Sequence, residues 1–252
     1  MITNWPLVFF TVFSQLGAGL AFFSWWKDRH DTAPSSRGWQ VSAASAALAL
    51  IASLIAFSGL ASGAMLPAQI CCLLLVLASA AASRRCAPCG LAAWLVGAVC
   101  VMAEAAAAIP GDVATLSGIF PLVLFPLCTI ILGAVFSQLR QMGEADDPAV
   151  RYGRFYMPLR ICLWIMLIIT AIAPCMPWED PFMRKSAIIW MQTQLYWMGV
   201  IFSGVVLGLS HMGRITLLVQ AIVAFISIFG LRTAFYADGV HGIIDMSTLY
   251  MH

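Results

Sequence analysis

PLVFFTVFSQLGAGLAFFSWW, residues 6 to 26, contains no charged side chain and is long enough to cross a bilayer as a helix, which takes about 20 apolar residues. Seven further stretches of the same kind follow at roughly 39–59, 66–83, 90–109, 117–138, 158–176, 188–209 and 215–236. The chain is 62% hydrophobic and 10% charged, with a mean hydropathy of +0.93, too little polar surface to cover a water-soluble fold. Backbone groups in lipid must be paired internally, so these stretches are helices. The expected fold is all-α: one transmembrane domain over residues 1–252, a bundle of about eight membrane-spanning helices.

Loop charge orients the bundle. Lys27, Arg29, Arg37, Arg84, Arg85, Arg140, Arg151, Arg154, Arg160 and Arg214 fall on one side, and Arg184, Lys185 and Arg232 on the other. Ten basic residues against three make the first side cytoplasmic and put both termini outside. The net charge of +2 thus reflects orientation and points to no nucleic acid. The opening Met-Ile-Thr-Asn-Trp has no basic region and no small-residue cleavage site follows, so the first helix is expected to stay in the mature protein.

The longest connector, Gln141 to Tyr156, reads as a polar loop, and no soluble domain is present to hold a catalytic centre. Helices two to four are rich in small residues, as in Ala43 to Ala49, and Gly204 and Gly208 stand in GxxxG spacing on the seventh, a pattern of close packing. The two halves share no repeat of the kind inverted transporters carry. Six cysteines, Cys71, Cys72, Cys100, Cys128, Cys162 and Cys175, fall within spans and read as small apolar side chains. Cys86 and Cys89 form a lone CxxC with no second pair or histidine nearby, which argues against metal or redox chemistry. His30, His211, His241 and His252 supply no facing pair at one membrane depth, so no haem is expected. The tail from Ala237 to Asp245 reads as a docking element or a solvated end.

An ionisable side chain in the hydrocarbon costs about 2.5–3.5 kcal/mol on insertion scales. Two stand out: Glu104 and Arg232, each about one turn from the outer end of its helix. Gly90, Ala93, Gly97, Cys100 and Glu104 share one small-residue face, which directs the carboxyl toward neighbouring helices. Gln69, Gln192, Gln194 and Tyr196 lie at the same level, with Thr11, Ser14 and Gln15 closer to mid-membrane. Gln192, Tyr196, Gly199 and Ser203 form a polar, small-sided stripe. Amide, carboxyl, guanidinium and phenol groups together suit a quinol, whose ring oxygens need donors and acceptors and whose oxidation releases protons to a base. The same residues also suit plain interhelical hydrogen bonds, an ion pair between Glu104 and Arg232, or snorkelling to the headgroups.

Trp5, Pro6, Leu7, then Phe10 to Phe13, Gln15, Ala18 and Gly19, resembles the start of the membrane anchor subunit of anaerobic dimethyl sulfoxide reductases. Gly230, Leu231, Arg232, Phe235 and Tyr236 are similar to that family's last helix, where an arginine precedes an aromatic pair. The resemblance implies a membrane anchor in the bacterial cytoplasmic (inner) membrane that oxidises menaquinol or ubiquinol. Electrons would pass to an iron-sulfur subunit and on to a molybdopterin catalytic subunit, with both cofactors confined to those partners and lipid around the anchor. Gln15 and Arg232 carry over to the quinol site. Where the family has a histidine and then an acid after helix two, this chain reads Phe57 to Gln69 and holds neither. Gln69 stands at the acidic position and cannot take up a proton, so Glu104 is the expected substitute base, with Gln15, Gln69, Gln192, Tyr196 and Arg232 as binding residues. Electron transfer without haem requires the partner's nearest cluster close to the quinol, which places docking on the outer face. The competing expectations are a small multi-pass transporter, and an anchor that has lost quinol binding.

Overall fold

The computed structural model describes residues 5–30, 36–57, 65–84, 87–108, 120–141, 148–176, 181–212 and 216–237, and the described residues are helical with short turns. The helices are α1 (Trp5–His30), α2 (Ser36–Phe57), α3 (Leu66–Ser83), α4 (Ala87–Ala108), α5 (Phe120–Gln141), α6 (Pro148–Ile172), α7 (Pro181–Gln192), α8 (Gln194–Leu209) and α9 (Leu217–Ala237). Seven of them, all but α7 and α8, are long and apolar enough to cross a membrane, and the chain is a multi-pass membrane protein.

The stretch at residues 6–26 is the centre of the bundle. Over their apolar windows, 78% of α1 is buried inside the molecule against 28% of α3, so α1 is surrounded by protein while α3 lines the periphery. The sequence explains how. Gly17, Ala18 and Gly19 are successive residues, about 100° apart around the helix, and each meets a different neighbour. Gly17 packs on Ser42 and Ala46 of α2, Ala18 on Gly97 of α4, and Gly19 on Thr129 and Gly133 of α5. A Cβ on Gly19 would stand 2.8 Å from the Gly133 Cα, too close for any side chain. The fourth flank is aromatic: Trp5 stacks on Phe229 (centroids 5.7 Å apart), Phe9 tilts against it (5.1 Å) and Phe13 meets Phe225 (5.8 Å). Rising numbers on α1 meet falling ones on α9, so the two helices run antiparallel.

Three expectations are corrected. The single span at 188–209 is two helices broken at Thr193, whose backbone is extended (φ −86°, ψ 124°). The carbonyls left by the break are satisfied locally: the Thr193 hydroxyl donates to Ile189 O (2.9 Å) and the Trp197 indole to Met191 O (2.8 Å). At 16 residues α8 is about 24 Å long, short of a hydrocarbon core of about 30 Å. The connector at 141–156 is helical from Pro148 on, where α6 begins at a residue whose missing N–H costs nothing in the first turn. Finally, Gly204 and Gly208 meet nothing within 4 Å, so the GxxxG face packs on none of the described helices, and Gly19 with Gly133 makes the close crossing instead.

Cys71, Cys72, Cys100, Cys128, Cys162 and Cys175 are free thiols, as expected of apolar positions. Cys89 is disulfide-bonded, a state its reading as an inert CxxC member did not anticipate. Cys86, His241, His252 and the tail beyond Ala237 lie outside the described residues, as does the stretch from Ser58 to Ala64.

Candidate functional site

Gly97 lets α4 come against Ala18 of α1, and seven residues later α4 delivers Glu104 beside Ser14 and Gln15. The expected face holds: Gly90, Ala93, Gly97, Cys100 and Glu104 are all buried. Both carboxyl oxygens of Glu104 accept hydrogen bonds. The Ser14 hydroxyl and, at 3.7 Å, the Cys100 thiol donate to Oε1, while the Gln15 amide donates to Oε2 (3.1 Å). The other end of the same amide, Gln15 Oε1, accepts from Arg232 Nη2 on α9 (3.1 Å). Only one orientation of the Gln15 amide serves both neighbours, its NH2 toward the acid and its oxygen toward the base.

Glu104 and Gln15 are 0% exposed and Arg232 1%, so this is a polar chain sealed within a membrane bundle. Glu104 and Arg232 form no direct ion pair; Gln15 stands between them. Part of the guanidinium's solvation is replaced by the face of Phe125 on α5, whose centroid lies 3.5 Å from Arg232 Cζ. Among the described residues, Arg232 Nε and Nη1 nevertheless have no hydrogen-bond partner, and neither has the hydroxyl of Tyr236, one helical turn further along α9. Tyr236 OH lies beside Thr11, whose own hydroxyl donates to Val8 O (3.1 Å), and within electrostatic reach of Arg232 and Glu104.

The remaining expected residues do not join this chain. Gln69 is half-buried at the start of α3, next to Ala68, whose carbonyl accepts from Cys100 (3.3 Å); it makes no hydrogen bond to Glu104. Gln192 is exposed at the end of α7, turned out by the break at Thr193. Tyr196 is buried, yet its hydroxyl donates to the carbonyl of Thr170 on α6 and its ring stacks on Trp190 (5.7 Å). The stripe it belongs to is an interhelical seam: the Ser203 and Ser227 hydroxyls lie 2.6 Å apart and 2.9 and 2.7 Å from Gly199 O, so one donates to that carbonyl and the other to its neighbouring hydroxyl.

Sequence reading named Ser14 among the mid-membrane polar groups without a contact for it, and missed the roles of Phe125 and Tyr236. Spacing offered one signal, since Tyr236 stands four residues after Arg232 and therefore on the same helix face. Phe125 is an ordinary apolar-helix residue until its neighbour is known. Among the described residues, no group of three or more histidine, cysteine or acidic side chains is placed to hold a metal ion. No family model matches this chain, and no curated protein or solved structure does.

Proposed function

We propose that this protein is the quinol-oxidising membrane anchor of a dimethyl sulfoxide reductase-like complex in a bacterial inner membrane. It would pass electrons to an iron-sulfur subunit that feeds a molybdopterin subunit. One observation carries the reading: Gln15 and Arg232, the two positions the sequence resemblance marks for quinol, are hydrogen-bonded to each other and, through Gln15, to Glu104. An acid and a base held in hydrocarbon are costly and mark a functional site. In this reading Arg232 grips a ring oxygen of the quinol and Glu104 accepts a proton as the ring is oxidised. Ser14 and Gln15 hold the carboxyl in place for that transfer. Gln69, Gln192 and Tyr196 fall away from the site.

The decisive experiment is gentle-detergent purification of the tagged chain from its native membrane, with mass spectrometry of co-eluting proteins and assays for iron and molybdenum. Stoichiometric iron-sulfur and molybdenum subunits are expected. A chain that elutes alone and metal-free overturns the reading. It would favour a small transporter, which draws its support from the break at Thr193, since discontinuous helices line substrate sites in such proteins.

A further inference from the structure

The donors and acceptors around Arg232 are out of balance. Glu104 has both oxygens engaged, and Gln15 has its oxygen and one of its amide hydrogens engaged. What is left over among the described residues is Arg232 Nε and Nη1, and the Tyr236 hydroxyl with only the Thr11 side chain beside it, all buried and without a well-formed hydrogen bond. The groups facing Arg232 do not remove the surplus. Gln15 comes from α1, Phe125 and the Cys128 thiol, a weak acceptor, from α5, Glu104 from α4 and Tyr236 from α9 itself, and among the described residues Gln15 alone offers it a well-formed oxygen acceptor. An unpaired N–H or O–H in an apolar interior costs about 1–3 kcal/mol, a cost that an acceptor placed here would relieve.

We infer that Arg232 and Tyr236 together bind a carbonyl oxygen of the ring in its oxidised, quinone form, and hold it more tightly than the hydroxyl of the quinol. This rests on the quinol reading above and adds to it a ligand redox state and a residue, Tyr236. A quinone oxygen is an acceptor only and meets donors on every side. A quinol hydroxyl brings its own proton into a corner that already has too many, and its oxygen is the weaker acceptor. The consequence is electrochemical. A tenfold preference for quinone lowers the two-electron potential of the bound couple by about 30 mV, which makes bound quinol a stronger donor.

The test is calorimetric titration of the full chain in lipid nanodiscs with a short-chain naphthoquinone, and separately with its reduced quinol under argon. Quinone affinity about tenfold above quinol affinity is expected. Tyr236→Phe, which keeps the ring, is expected to weaken quinone about fivefold, the worth of one hydrogen bond, and quinol by less than twofold. Arg232→Lys, which removes the fork but keeps the charge, is expected to abolish the preference. Equal affinities, or tighter quinol, overturn this inference and leave the quinol site standing. Binding of neither form overturns both.

Discussion

Two buried polar regions looked alike in the sequence and differ in what they leave unfinished. The α8 seam closes on itself: Tyr196 is spent on the Thr170 carbonyl, and Ser203 and Ser227 on each other and on Gly199. The Glu104 region joins α1, α4 and α9 through side chains alone and ends with unpartnered donors. Seam bonds of the first kind are worth about 0.6 kcal/mol each and hold helices together. The second arrangement carries an uncompensated cost, which a ligand can relieve. In a membrane bundle the polar residues that matter for chemistry are therefore those whose bonding capacity the fold does not use up.

The largest expected effect that can break this contrast is on turnover. Glu104→Gln keeps the shape of the side chain and removes the base, and quinol oxidation by the assembled complex is expected to fall by about 100-fold or more. A rate within threefold of wild type, with normal assembly, would reduce the Glu104 region to a structural knot. Next comes packing, where identical residues should answer differently. Gly133→Val drives a side chain into Gly19 of α1 and is expected to cost about 1–3 kcal/mol, whereas Gly204→Val meets open space and stays within about 0.5 kcal/mol. Thermal unfolding in detergent reads both, and equal losses would mean that the GxxxG face is covered in the native assembly.

A smaller change sharpens the seam side. Ser203→Ala and Ser227→Ala should each cost about 0.6 kcal/mol and leave quinol titration unchanged; a shift in quinol affinity would extend the site to α8. The smallest expected effect is at Gln192, which is exposed: Gln192→Ala should alter neither stability, beyond about 0.5 kcal/mol, nor quinol binding.

Most of the fold was legible because apolar length in a charge-poor chain leaves few alternatives, and all eight expected spans contain helix at their places. Glu104, Gln15 and Arg232 were legible for the same reason in reverse, as polar groups where hydrocarbon penalises them. The break at Thr193 was not, because neither proline nor glycine marks it and the apolar run passes through it. The GxxxG motif misled because small residues permit a close approach without naming the neighbour. Gln192 and Tyr196 share a helical face only on an unbroken helix, and the one-residue interruption between them rotates Gln192 away. Gln69 failed for want of any local signal separating it from a half-buried residue beside the right carbonyl.

The central place of α1 has a cost in time. Gln15 and its partner Arg232 are separated by 217 positions, and chains grow at about 5–20 residues per second. Helix α1 thus carries Ser14 and Gln15 into the bilayer and waits roughly 10–45 s for the helix that completes their bonding. Its three packing surfaces at Gly17, Ala18 and Gly19 fill in order, α2 first, then α4, then α5, while α9 closes the flank last. A nascent chain cut off before α9 would keep every glycine crossing on α1 yet lack the guanidinium, and the insertion machinery or lipid water must shelter the exposed amide until then.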